Sequence, residues 1–474
     1  MNNYTWNIIV SALLGVFLLI TGNLFLTSVG LAFAFYIFVK LLMDMGRKIP
    51  IIELMTALAA LQWILGPFIE YGRELEHYKY RMYVDEATYM AFVVPAVIVF
   101  WIGANLIKPK TDLDSLKLEI DKILKEHPLF PYILIIAGAL IPFLSGLFPA
   151  SLGFVFFLLS MMKYIGVIYL IHSSQRFKWP IFFGVLLVTA ISSIGAGMFH
   201  DLILWSMLLF TFLAKEWKMS LPMKLFSALM GILFAMTIQS VKLQYRMQTW
   251  SGEYEGSKTL LFVSMAAHEW SSGEVFLPKQ DVHMNVRLNQ GWIISAIMYN
   301  VPAVVPFANG RTITDAIENS LIPRVLYPGK PTAGGRENFR KYTGLSLSDG
   351  TSMGISIAGE GYANYGWFGG IVFMFLWGLF INWFWRRLEA WSKYFPTLLV
   401  WSPILFLQVV KAETEFGVVL NHLIKATIVV GGLVWGIRMV WGESGSRPES
   451  RVFRRVSNWQ RGRHENLENK KVPD

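Results

Sequence analysis

The chain has 474 residues and no cysteine. Disulfide bonds, thiolate catalysis and Cys-ligated zinc or iron–sulfur centres are therefore excluded. Charge is also scarce: Asp, Glu, Lys and Arg make up 16% of the residues, where soluble domains carry roughly 25%. No G-x-x-x-x-G-K-[ST] run occurs, which argues against nucleotide hydrolysis on a phosphate-binding loop. His268 and His283 lie fifteen residues apart with Glu269 beside the first, a spacing that matches no zinc site, so neither a metal nor another cofactor is expected. The N-terminus, MNNYTWNIIVSALLGVFLLITG, lacks a basic leader and a small-residue cleavage site and reads as a retained first helix. No internal repeat of fixed period is visible.

Apolar side chains fill the space that charge leaves. They make up 54% of the chain, and the mean hydropathy is +0.46. Runs of about 20 apolar residues recur along its length, each long enough to cross the hydrocarbon core as a helix. A β-barrel would instead alternate polar and apolar residues over segments of about 10. The expected fold class is thus an all-α polytopic membrane protein of about twelve transmembrane helices, at 6–22, 24–43, 49–69, 87–107, 129–147, 152–172, 179–198, 200–215, 222–242, 357–385, 395–412 and 422–441. This divides the chain into an N-terminal bundle of about nine helices (1–243), a large loop (244–356), three C-terminal helices (357–441) and a basic tail (442–474).

Lysine and arginine set the expected orientation. Lys40, Arg47 and Lys48 follow the second span, and Lys108, Lys110, Lys117, Lys122 and Lys125 the fourth. Arg176 and Lys178 follow the sixth, Lys215, Lys218 and Lys224 the eighth, and Arg386, Arg387 and Lys393 the tenth. All are even-numbered exits, so both termini should be cytoplasmic and the large loop should lie on the other side of a bacterial inner membrane. The net charge of +10 then reports topology and contact with membrane lipids, and no nucleic-acid partner is expected. The segment 112–126 carries an apolar stripe at 113, 116, 120, 123 and 124, the pattern of an interfacial helix on the basic side.

The large loop holds the chemistry. Its stretches 258–270 and 291–307 are partly apolar, and Pro302 and Pro306 break the second, so short helices near the outer interface are expected. Arg311, Arg324, Arg336 and Arg340 lie within thirty residues, with Lys330 among Pro323, Pro328, Pro331, Gly329, Gly334 and Gly335. Arginine keeps its charge and pairs bidentately with phosphate, while glycines let backbone N–H groups approach a ligand. A phosphate or pyrophosphate site at the membrane surface follows. Glu360 sits between glycines where the chain re-enters an apolar run, beside Tyr362, Asn364 and Tyr365. A carboxylate at such depth is costly and suits a general base, with His268 the second choice. Lys411, Glu413, Glu415 and His422 cluster in the last link, and His200–Asp201 mark an outer turn. Trp250, Trp270, Trp292, Tyr299, Tyr327 and Tyr342 offer rings for stacking on sugars.

Two stretches together resemble a known family. NSLIPRVLYPGKP, followed by FRKYTGLSLSDGTSMGISIAGEGYANYGWFGGIVFMFLWGLF, is similar to the Wzy-type polymerases of oligosaccharide repeat units that build bacterial O-antigen and exopolysaccharide. The likeness covers roughly residues 285–385, and the rest agrees in topology alone. It implies transfer of a growing glycan from undecaprenyl pyrophosphate to a sugar hydroxyl of the next lipid-linked repeat unit, at the periplasmic face and without a metal. It further implies pyrophosphate binding by Arg324, Lys330, Arg336 and Arg340, a second lipid near Arg287 and Arg311, glycan contacts at Tyr362 and Asn364, and a chain-length regulator as partner. An O-antigen ligase-type transferase and a lipid-linked sugar flippase are the alternatives. A flippase would line its bundle with charge and pair discontinuous helices, and the sparse charge within these spans disfavours it.

Overall fold

The structure is a computed structural model, and it describes residues 3–73, 79–108, 112–252, 254–273, 288–322, 335–347 and 353–441. The chain divides into two compact units, Met1–Thr427 and Ile428–Asp474. The first contains all the helices except the end of the last one, and the second is described only as the helical run to Trp441. Among the described residues the elements are helical, with no strand beyond a single isolated bridge between Met45 and Lys48.

In chain order the helices are α1 (Asn3–Ile20), α2 (Phe25–Asp44), α3 (Ile51–Tyr71), α4 (Glu86–Ala104), α5 (Leu113–Glu126), α6 (Phe130–Leu144), α7 (Gly153–His172), α8 (Lys178–Ala196), α9 (His200–Glu216), α10 (Leu221–Trp250), α11 (Lys258–Ser272), α12 (Gly291–Asn300), α13 (Arg311–Leu321), α14 (Arg336–Thr343), α15 (Ile357–Trp391), α16 (Ser402–Phe406) and α17 (Phe416–Trp441). Among the described residues ten are long and apolar enough to cross a membrane: α1 to α4, α6 (with the turn that carries it to Leu147), α7, α8, α10, α15 and α17. The chain is thus an all-α polytopic membrane protein. In hydrocarbon every backbone N–H and C=O must bond within the segment, which is why continuous apolar runs become helices.

Two of the twelve expected spans fall outside these ten. The run 200–215 is the helix His200–Glu216, of 17 residues and so about 25 Å long. The run 395–412 is not one helix. It forms a single 3-10 turn at Leu398–Trp401 and the five-residue α16, because Pro396 and Pro403 cannot donate to the helical ladder. Its side chains are buried all the same, including Val400, Trp401, Ile404 and Phe406. It begins beside α7, where Tyr169 and Thr397 share a hydrogen bond of 2.6 Å, and ends with Lys411 3.4 Å from Asp201 at the far end of α9. The segment therefore runs the length of the bundle in broken form.

Glycine lets the two central helices touch. A Cβ on Gly378 of α15 would overlap the Phe100 carbonyl of α4, and one on Gly103 would lie 2.6 Å from the Phe375 carbonyl. Both positions accept only a hydrogen there.

The basic links gather at one end of the bundle. Lys40 and Lys48 bind Asp44 and Glu53 at 2.5 to 3.2 Å. Lys117 and Lys178 bind Glu216 at 3.0 and 2.8 Å, with His172 3.5 Å away. Lys215 pairs with Asp114, and Lys224 donates to the Met45 carbonyl at 2.5 Å. The expected amphipathic segment is α5, capped by Asp112, which accepts from the Ser115 N–H at 2.7 Å. It buries Leu113, Leu116 and Ile120 against this end, and its first N–H donates to the Arg47 carbonyl at 2.9 Å.

At the opposite end the described parts of the large loop fold onto the helices. The stretch 258–270 is α11, which packs on α10 around Phe199, Ile238, Val241, Tyr245 and Phe262. The stretch 291–307 supplies α12, which is buried along most of its length and sits in a core with Phe339, Tyr342, Ile355 and Ala363.

Candidate functional site

A cavity of about 550 Å³ opens at this loop-covered end. Four separate pieces of chain line it. The turn into α9 brings His200 and Asp201, α10 brings Lys242 and Arg246, and the last link brings Lys411, Glu413 and Glu415. Gly335 and Gly354 of the large loop close the remaining wall.

Each charged group is held by its neighbours. Lys242 and Arg246 are one helical turn apart and so share a face of α10. The Arg246 Nε donates to the Gly197 carbonyl at 2.8 Å, and the guanidinium lies 4.5 Å from the Trp250 ring. Gly197 can offer that carbonyl because it ends α8 in the left-handed region, at φ +65°. Lys411 Nζ stands 3.4 Å from Asp201 Oδ1, and His200 Nδ1 stands 3.8 Å from Glu413 Oε1. Glu415 is buried, and burial raises its carboxyl above the ordinary range, opposed in part by Asn338, whose amide donates to it at 3.4 Å. The backbone at Gly335 comes so close that a Cβ would lie 2.8 Å from Glu415 Oε2.

Glu360 lies behind this wall. It is buried, and both carboxylate oxygens are taken: Oε1 accepts from Thr312 Oγ1 at 2.6 Å and Oε2 from the Phe416 N–H at 2.8 Å. The Asn364 amide donates to Thr312 Oγ1 at 2.7 Å and to the Glu360 carbonyl at 2.8 Å, and its oxygen accepts from the Gly310 N–H at 3.0 Å. Ser356 starts the helix by accepting from the Gly359 N–H at 3.1 Å. Gly366, at φ +69° and ψ −162°, then kinks α15 just beyond. The carboxylate expected to face substrate is thus one corner of a closed polar node tying α13 and α15 to the start of α17. Phe416 and Glu415 separate it from the cavity.

The other expected site residues scatter. Tyr362 is half-buried between the rings of Phe92 and Phe307, at 5.1 and 6.5 Å. Arg336 opens α14 next to the cavity-lining Gly335 and is partly buried. Arg340 is exposed, its Nη2 donating to the Leu347 carbonyl at 3.1 Å. Arg311 is exposed at the first position of α13, with Asp315 4.0 Å away. His268 is exposed on α11, away from the cavity lining. Arg287, Arg324 and Lys330 lie outside the described residues. Trp292 and Tyr342 are buried core rings and offer no stacking face, whereas Trp250 and Tyr299 are exposed. His422 is buried too, its Nε2 2.8 Å from the Ile404 carbonyl and its ring against Phe154.

Sequence reasoning missed Lys242 and Arg246. The apolar run ends at about 242, yet the helix continues for two more turns to Trp250. The available signal was two cations four residues apart on a helix without a stop signal. Among the described residues no cluster of His, Asp and Glu has the geometry of a metal site.

The cavity therefore brings the cations Lys242, Arg246 and Lys411 together with carboxylates and a histidine. That arrangement can hold an anionic group and take a proton beside it. No curated protein and no solved structure matches this chain. Over residues 108–438, a span that includes every charged residue lining the cavity, the chain belongs to the family described as a domain of unknown function, DUF8712.

Proposed function

We propose that this chain is a glycan transferase that uses a polyprenyl-pyrophosphate-linked oligosaccharide as donor and polymerises repeat units at the outer face of a bacterial inner membrane. One observation carries the reading: Lys242, Arg246 and Lys411 converge with Glu413, Glu415 and His200 on one cavity at the end opposite the basic links. With the basic links cytoplasmic by the positive-inside rule, the cavity faces outward.

The chemistry follows from the charges. The glycosidic bond between the sugar C1 and the pyrophosphate oxygen breaks, and C1 bonds to a hydroxyl oxygen of the acceptor. The hydroxyl proton passes to Glu415, whose raised affinity for protons suits a general base. The pyrophosphate leaves with its negative charge, which Lys242, Arg246 and Lys411 stabilise without a metal. Glu360 acts indirectly, by fixing the Phe416 N–H and thereby the carboxylate next to it.

Cells lacking the chain should accumulate single lipid-linked repeat units and lose the polymer ladder. Restoring the wild-type chain should restore the ladder. A chain carrying Lys242→Ala with Arg246→Ala, present at wild-type level, should fall by about 10²–10³-fold, the usual effect of deleting donors to a developing anion. A normal ladder from that variant removes the cavity from the reaction. Transport of repeat units without any change in their length favours a flippase.

A further inference from the structure

Helix α10 turns one stripe toward the bundle. At 3.6 residues per turn that stripe carries Lys224, Gly231, Ile238, Lys242, Tyr245 and Thr249. Both of its ends are pinned. Lys224 Nζ donates to the Met45 carbonyl at 2.5 Å, while Tyr245 Oη donates to the Ile194 carbonyl at 2.6 Å and Arg246 Nε to the Gly197 carbonyl at 2.8 Å. Between the pins the helix is only loosely covered: no residue from Leu225 to Thr237 is fully buried, and its far end there is held by Trp270, whose Nε1 donates to Thr237 Oγ1 at 2.8 Å. A side chain placed on Gly231 would meet no atom within 4 Å. A bundle-facing position with no protein against it is a window in the bundle wall.

What fills the window is dictated by its two ends. Leu225, Phe226, Leu229, Met230, Ile232 and Phe234 around it are apolar and exposed, so hydrocarbon covers them. Lys242, on the same stripe and eleven residues further on, sits roughly 16 Å along the helix axis, where the cavity begins. We propose that the window at Gly231 seats the hydrocarbon chain of an anionic lipid whose phosphate head reaches Lys242 and Arg246. The site thus loads sideways from the bilayer. This rests on the reading of the cavity as a binder of lipid-borne phosphate, and it is independent of glycan transfer.

The test uses the full chain in lipid nanodiscs with a phosphatidic acid probe that carries a photoreactive diazirine in mid-chain. Adducts mapped by mass spectrometry should fall on residues 227–235 of α10. A phosphatidylcholine probe of the same chain length should label them about tenfold less, as should the Lys242→Ala, Arg246→Ala variant. Gly231→Trp fills the window from open space and should abolish the adducts, while inorganic pyrophosphate still binds the cavity at wild-type affinity. Gly231→Leu, checked by melting temperature, guards against a folding defect. Equal labelling by both probes, or unchanged labelling in Gly231→Trp, overturns the proposal and makes this face an ordinary lipid boundary. Binding of inorganic pyrophosphate without lipid adducts also overturns it, leaving a cavity for soluble anions. Adducts as expected in a chain that never extends a glycan uphold the window and remove the transferase.

Discussion

Glu360 and Glu415 are two carboxylates with different work, and their partners tell them apart. Glu360 has both oxygens bonded in a closed node, so Glu360→Gln puts an amide N–H₂ where an acceptor is needed, opposite Thr312 or the Phe416 N–H. A buried group left unmatched costs about 1–3 kcal/mol, and a melting measurement should show the loss. An unchanged melting temperature would mean that the node does not hold α13 and α15 to α17. Glu415 should behave oppositely. Its carboxyl is raised by burial, so the folded state binds the proton more tightly than the unfolded chain does. That stabilising contribution is fully present below the unfolded value, about 4.3, and is lost as pH rises through the folded value. Glu415→Gln should therefore gain stability relative to wild type as pH rises from the mid-fours toward neutral; parallel melting curves across that range would contradict the assignment. Glu360 was legible in the sequence, because a carboxylate between glycines in an apolar run stands out. Its bonding was not, since Thr312 and Phe416 are distant in sequence. Arg311 and Arg340 are exposed on α13 and α14, and neither lines the cavity.

At the scale of elements, apolar length was a reliable guide and proline was underweighted. Helices α2, α7 and α8 begin and end within two residues of their expected spans, because continuous apolar runs leave the backbone no alternative. The run 395–412 is equally apolar, yet Pro403 divides it, and burial within the bundle compensates for the missing ladder. The far end of α10 was lost because polar residues after 242 read as loop, while packing on α11 carries the helix to Trp250. The kink in α15 makes a sharp prediction. Gly366 occupies φ and ψ values open to glycine alone, and a Cβ there would lie 3.0 Å from the Phe307 ring. Gly366→Ala should cost at least about 1–3 kcal/mol and lower the melting temperature; a neutral outcome would show that α15 runs straight. Asp112→Ala should cost α5 about 1 kcal/mol by removing its cap, visible as faster amide exchange over 113–117 and nowhere else.

For the whole molecule, the distribution of lysine and arginine is the most legible feature. The links after α2, α4, α7 and α9 converge through Glu53, Asp114 and Glu216, and the cavity lies at the other end. The absence of cysteine makes orientation directly measurable. Single cysteines at Lys122, exposed on α5, and at Ser251, exposed beyond α10, should react with an impermeant thiol reagent from opposite sides of the membrane. Ser251 should be the outer one. Labelling of both from one side would break the proposed topology.

The central claim is that the cavity transfers glycan from a lipid pyrophosphate. Purified chain supplied with its lipid-linked repeat unit should yield products of increasing length and free lipid pyrophosphate in equal number to the linkages formed. Glu415→Gln should bind the donor as wild type does and extend it about 10²–10⁴-fold more slowly, the usual contribution of a general base. Extension at the wild-type rate by Glu415→Gln, or donor bound by wild type with no linkage formed, would contradict the account.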